Sequence, residues 1–192
     1  RWLMGRMGSR QRPPYRGLRA THMGTVHKTT ITHLDMHAEP RLPNVAKPHG
    51  KYALMRAEKP PVHFYRYLYD TIGRDYTWVS RRKLSDEALT AIIHHDDVEI
   101  YVLWLNGAPA GFTEIDYRMM PDADLCFLGV MPEHIGQGVG RFLLCEAIRI
   151  AWSRGPERLT VQTCTLDHPN ALRLYQRHGF TAYAQSEAMF ED

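Results

Sequence analysis

A mixed α/β sheet domain is what this chain of 192 residues predicts, on three observations. Runs rich in β-branched and aromatic residues meet at a strong hairpin signal, Asn106-Gly107. Amphipathic helical patterns then alternate with strands over the last third of the chain. A hydrophobic fraction of 44% supplies enough apolar surface for one domain to fold alone.

The elements follow in order. Pro40 to Pro48 (PRLPNVAKP) reads as a linker, so residues 1–50 are expected as an N-terminal extension and 51–192 as the domain proper. Lys51 to Glu58 reads as a first strand. Val62 to Ile72 places Phe64, Leu68 and Ile72 on one helical face, with Gly73 positioned to cap its end. Ser85-Asp86-Glu87 supplies an N-cap and an acidic first turn for a helix reaching about His94. Glu99 to Leu105, Ala110 to Tyr117 and Asp124 to Val130 read as strands. Gly140 to Arg154 is a helix with Leu144, Ala147, Ile148 and Ala151 on one face, stopped by Gly155-Pro156. Arg158 to Thr165 is a strand, Asn170 to His178 a helix closed by Gly179, and Phe180 to Tyr183 the start of a last strand. No internal repeat is present.

Charge and cysteine content narrow the class. The net charge of +3 is unevenly placed: residues 1–28 hold seven Arg or Lys and no acid, leaving 17 basic against 21 acidic residues elsewhere. The folded part is therefore mildly acidic, which argues against a nucleic-acid-binding face on it. The basic arm reads as a flexible leader or, alternatively, as a contact for polyanions or for a second subunit in a homodimer. No run of apolar residues is long enough to span a membrane, and no signal-peptide core is visible. Cys126, Cys145 and Cys164 are too widely spaced for a C-x-x-C pair and read as reduced thiols of a cytoplasmic protein. No metal site is expected: His33 and His37 stand at i, i+4 without a third ligand, and His94-His95-Asp96-Asp97 reads as a helix end.

The stretch Val130 to Leu144 (VMPEHIGQGVGRFLL) carries the most chemistry. Three alternating glycines, Gly136, Gly138 and Gly140, precede a helix whose first amides lack intrahelical partners, a natural place for a pyrophosphate. Spacing excludes the common nucleotide motifs: Arg141 and Leu143 stand where G-x-G-x-x-G would need glycine, and no G-K-[ST] follows.

With a strand ending at Val130 and Gly138-x-Gly140 in the two small positions, the stretch resembles the acyl-CoA-binding loop of the GNAT N-acetyltransferases, [QR]-x-x-G-x-[GA]. Ile135 departs from that pattern, occupying the place of the usual Gln or Arg. A second motif follows thirty residues later. Asn170 to Phe180 (NALRLYQRHGF) is similar to the family's closing helix, A-x-x-L-Y-x-x-x-G-F, through Ala171, Leu174, Tyr175, Gly179 and Phe180. The resemblance covers about Tyr52 to Tyr183. It implies a mixed, mostly antiparallel central sheet with flanking helices and a splayed parallel strand pair, in which acetyl-CoA lies.

What the resemblance implies for function is transfer of an acetyl group to a primary amine of a small molecule or peptide, in a ternary complex. Such transfer needs orientation, a base for the amine, an oxyanion donor and an acid for the leaving thiolate. The family pattern gives the acid role to Tyr175, whose phenol is protonated at neutral pH. It gives cofactor contacts to Leu128, Gly129, Val130, Gln137, Gly138, Val139, Gly140, Arg141 and Asn170. Asn170 is otherwise expected as an N-cap. Asp124 matches the family's carboxylate base on the same strand, with Glu114 an equal competitor and Asp116 a lesser one. The acceptor pocket is expected near Tyr69, Tyr76 and Trp78, although aromatics here also suit a core. The alternative of another class is a non-catalytic acyl-CoA-binding regulatory module.

Overall fold

The computed structural model describes residues 26–191. Seven strands, β1 (Val26–Met36), β2 (Tyr52–Arg56), β3 (Val98–Leu105), β4 (Ala108–Asp116), β5 (Asp122–Val130), β6 (Arg158–Cys164) and β7 (Thr181–Glu191), form one sheet. Its order is β2-β3-β4-β5-β6-β1-β7. Every neighbouring pair is antiparallel except β5–β6, which is parallel. This is the mixed, mostly antiparallel sheet expected from the sequence. The four helices are α1 (Val62–Gly73), α2 (Asp86–Ile93), α3 (Val139–Ser153) and α4 (Ala171–Arg177).

Each face of the sheet buries its own core. Helix α1 presents Tyr65, Leu68, Tyr69 and Ile72 to Ile100, Val102 and Phe112, and Leu89 and Ile93 of α2 join them. On the opposite face Leu144, Ala147, Ile148 and Ala151 of α3 pack with Leu125, Leu159 and Val161, and Tyr175 and Phe180 close that layer. A sheet covered on both faces needs strands apolar on both sides, which β3 (VEIYVLWL) supplies. Local signals act as expected at several points. Ser85 accepts a hydrogen bond from the Ala88 amide at 3.2 Å, and Asn106 and Gly107 both take positive φ, 51° and 88°, in the β3–β4 hairpin.

The N-terminal side of the chain departs from expectation. β1 begins at Val26, well before residue 51, and pairs with both β6 and β7 inside the sheet. Leu42 and Val45 of the Pro-rich segment pack on the α3 side of the sheet. Residues 26–50 therefore belong to the domain and are not an extension outside it. Of the basic arm, residues 1–28, the first 25 lie outside the described residues, while Lys28 lies in β1 and pairs with Glu187 at 3.0 Å. Gly73 is also not a left-handed cap. Its φ is −82°, and a Cβ there would sit 2.4 Å from that of Trp78, so glycine is needed for close approach.

Candidate active site

One irregularity shapes the site. Across β4 and β5, Glu114 faces Phe127 while Ile115 faces Leu125, so Cys126 is an extra, bulged residue. A bulge bends its strand and ends regular pairing. The parallel pairing of β5 with β6 runs only from Asp122↔Arg158 to Leu125↔Val161, stopping where the bulge begins. Beyond it the two strands no longer pair, and among the described residues alternate backbone N–H groups of β5 lack a partner strand on that side. A cavity of about 550 Å³ fills the divergence, within the range of small-molecule sites.

The glycine loop forms one end of this cavity. Gly138 is the N-cap of α3 with φ 81° and ψ −4°, a conformation that L side chains rarely adopt. A Cβ at Gly136 or Gly138 would meet nothing within 4 Å, so the loop backbone is open to an approaching group. The first helical hydrogen bond is Phe142 N–H to Gly138 O at 3.1 Å, with no side-chain cap. The amides of Val139, Gly140 and Arg141 are therefore left for a ligand. Gly138, Gly140, Arg141, Leu128, Gly129 and Val130 all line the cavity. Two expected contacts do not reach it through their side chains. Val139 is buried in the core, and Gln137 turns back to donate to the Glu133 carbonyl at 2.6 Å.

Tyr175 closes the opposite wall. It lies on α4 against Phe180, ring centroids 5.8 Å apart, and lines the cavity. Burial, with the nearby Asp167 carboxylate adding to it, pushes the phenol well above its ordinary range. Its hydroxyl has no hydrogen-bond partner among the described residues. Asn170 does not cap α4, since its side chain makes no cap hydrogen bond; its amide donates to His168 Nδ1 at 3.1 Å. The side chain is left exposed at the cavity rim.

The two candidate bases prove different in kind. Asp124 lines the cavity at the apex of the divergence. Its Oδ1 accepts from Thr160 Oγ1 at 2.6 Å and its Oδ2 from Cys126 Sγ at 3.3 Å, which fixes the carboxylate. Glu114 is wholly buried behind that wall. Tyr65 donates to its Oε2 at 2.5 Å and Arg81 Nη2 to its Oε1 at 2.5 Å. Fully buried, off the cavity lining and ion-paired with Arg81, Glu114 suits the holding of that cation better than the taking of a substrate proton. Asp116, one full alternation along, pairs with Arg118 at the strand end.

The third wall comes from α1 and the loop after it. Tyr69, Tyr76 and Trp78 all line the cavity. Tyr69 is itself core, and its hydroxyl lies 3.1 Å from Ser80 Oγ and accepts from the Arg81 amide at 3.2 Å. Trp78 Nε1 donates to Asp167 Oδ1 at 3.3 Å, tying this loop to the β6–α4 turn across the cavity mouth. Thr163 Oγ1 and the Cys164 amide hold the other Asp167 oxygen, each at 2.9 Å. Gly129 carries no Cβ where one would lie 2.3 Å from Ile72 Cγ2, which lets α1 press onto β5 here. Arg81 and Asp167 escape sequence reasoning, because neither belongs to a motif and each acts through residues distant in the chain. Among the described residues no group of three or more His, Cys, Asp or Glu is placed to hold a metal ion. His33 instead bonds Ser186 Oγ at 2.9 Å.

Comparison with known proteins fits this geometry. The model of the acetyltransferase (GNAT) family matches residues 65–180, which contain both the glycine loop and Tyr175. Comparison with curated protein sequences finds no match. Among solved structures, a GCN5-related N-acetyltransferase from Sphaerobacter thermophilus is similar with TM-score 0.64 at 16% identity, covering 85% of this chain and 51% of that one. This chain thus spans about half the length of that protein. A putative acetyltransferase of the GNAT family from Novosphingobium aromaticivorans gives TM-score 0.57 at 17% identity, covering 89% and 69%. An aminoglycoside acetyltransferase from an uncultured soil metagenomic sample, in complex with trehalose, gives 0.56 at 19%, covering 70% and 91%. At such identities the structures speak for the fold, and the sequence model speaks for the lineage: the chain belongs to the GNAT acetyltransferase family.

Proposed function

We propose that the protein transfers an acetyl group from acetyl-CoA to a primary amine, by direct attack in a ternary complex. The observation that carries this reading is the coincidence of three features on one cavity. They are open helix-α3 amides, a β5 edge left without a strand partner among the described residues, and a lining that includes both Tyr175 and Asp124. The amides of Val139 to Arg141 suit the pyrophosphate, with the helix dipole and Arg141 adding positive charge. Because Ile135 replaces a polar side chain, that hold rests on the backbone. The free edge of β5 suits the amide groups of the pantetheine arm and, at Leu128 to Val130, a donor to the thioester oxygen.

Bound acetyl-CoA supplies an acetyl group activated on sulfur. Asp124 takes the proton that the amine loses as its nitrogen bonds to the acetyl carbon. Tyr175, kept protonated by its burial, gives its proton to sulfur as the carbon–sulfur bond breaks. Solvent then restores both groups, so amine and thioester become amide and thiol. Tyr69, Tyr76 and Trp78 form the acceptor side. The test is release of free thiol from acetyl-CoA with a panel of small amines and short peptides, with the amide product identified by mass. Thiol release dependent on both amine and protein is expected. Tight CoA binding with no turnover on any amine would favour a regulatory binding module instead.

A further inference from the structure

Arg81 is placed in a way that the acetyl-transfer chemistry does not require. Its guanidinium lies 5.2 Å from the Phe127 ring centroid, and it shares the cavity lining with Tyr69, Ser80 and Asp124. Only 15% of its side chain is exposed. Taking a cation out of water is costly unless its donors are met. Here they are met only in part. Glu114 Oε1 accepts one hydrogen bond from Nη2, the Tyr65 hydroxyl that donates to Glu114 Oε2 keeps its lone pairs beside the guanidinium, and the buried Nε has no hydrogen-bond partner among the described residues. A guanidinium carries five N–H donors, so Glu114 and Tyr65 leave part of this fork without a protein acceptor among the described residues. Glu114 holds the inner edge, while the residue as a whole borders the cavity.

We infer that Arg81 reads a carboxylate on the acceptor, so that the substrate is a small amino acid carrying its amine and carboxylate on one molecule. The inference deepens the acetyl-transfer reading above and rests on it. A planar fork matches a carboxylate in geometry and charge. Glu114 behind it, with Asp124 and Asp167 on the same cavity, disfavours a dianion such as a phosphate, so a monoanion fits best. With its carboxylate on Arg81, the acceptor can turn its amine toward Asp124, which lies three residues before Phe127 on β5. Phe127 and Trp78, packed on one another and both part-exposed on the cavity, suit an apolar side chain. In this account Arg81 determines specificity and Glu114 positions it.

The test compares amino acids of increasing amine–carboxylate separation with their matched carboxamides and decarboxylated amines. Thiol release and calorimetric binding to the CoA-loaded protein are both measured. Wild-type protein is expected to prefer the acid by at least about thirtyfold in kcat/KM, the worth of a charge-assisted hydrogen bond that is largely desolvated. Arg81→Met is expected to collapse that ratio toward one. Arg81→Lys, which keeps a cation beside Glu114, guards against misfolding and is expected to retain only part of the preference. Equal use or equal binding of acid and amide by the wild type overturns the inference, whatever the variants do. If no amine of either kind turns over or binds, the inference is also overturned, and CoA binding on the same preparation then judges the parent reading separately.

Discussion

Replacing Gly138 by alanine separates what the glycine loop does for folding from what it does for binding. Gly138 caps α3 at φ 81°, where an L residue costs about 1–2 kcal/mol. For a domain of this size that corresponds to a fall in Tm of roughly 2–8 °C. The new methyl would meet no protein atom within 4 Å, so no packing penalty adds to the backbone one. It would instead stand beside the open amides of α3, where the pyrophosphate is proposed to lie. A matched control is available in Gly107→Ala. That residue has φ 88°, equally open surroundings, and a place in the β3–β4 hairpin away from the cavity. Both variants should lose similar thermal stability. Only Gly138→Ala should weaken CoA binding by calorimetry, by tenfold or more, equivalent to about 1.4 kcal/mol. Equal CoA affinity in the two variants would refute the assignment of this loop to the pyrophosphate.

Three further predictions follow from the other walls of the site and from its tyrosines. Tyr175→Phe keeps the ring packed on Phe180 and should lower kcat by about 10²-fold with little change in CoA affinity, and an unchanged kcat removes the phenol from the mechanism. Asp124→Asn should lower kcat/KM for the amine by a similar factor of about 10²; if Glu114→Gln costs the same while leaving KM alone, the roles given to the two carboxylates are reversed. Burial holds the phenols of Tyr65, Tyr117 and Tyr175 above their ordinary range, and burial with Glu99 pushes Tyr101 up to about 12. Burial also holds the thiols of Cys126, Cys145 and Cys164 up. Unfolded cysteines and then tyrosines lose their protons, at about pH 8.5 and about pH 10, while these folded ones keep theirs, so stability should begin to fall at about pH 9 and fall more steeply above about pH 10. A urea midpoint that stays constant from pH 8 to 11.5 contradicts that linkage.

Much of the molecule could be read in the sequence because the relevant signals are local. Asn106-Gly107 fixes its hairpin through backbone conformations that few other pairs adopt, and Ser85 caps its own helix. Gly138 and Tyr175 each sit in a motif whose spacing survives into the cavity. β1 was hidden for a physical reason. Its sequence, VHKTTITHLDM, buries Thr29, Thr32 and Asp35 among its apolar residues, so no clean alternation marks it. Paired on both sides, it satisfies those polar groups through neighbours such as Thr165 and Arg158, 136 and 123 positions away. Alternation likewise placed Glu114 and Asp116 together, but could not reveal that Glu114 is sealed between Tyr65 and Arg81, or that Cys126 is bulged. Arg81 is a loop arginine like any other until a carboxylate 33 residues on is brought beside it.

Acetyl transfer as proposed requires that CoA bind in the divergence between β5 and β6. Hydrogen exchange of the wild-type protein, with and without saturating CoA, tests this directly. Exchange should slow at the amides of Val139, Gly140 and Arg141 and along Leu128 to Val130, with the β3–β4 hairpin unchanged. Binding that leaves those amides unprotected, or that protects only residues away from the cavity, would contradict it.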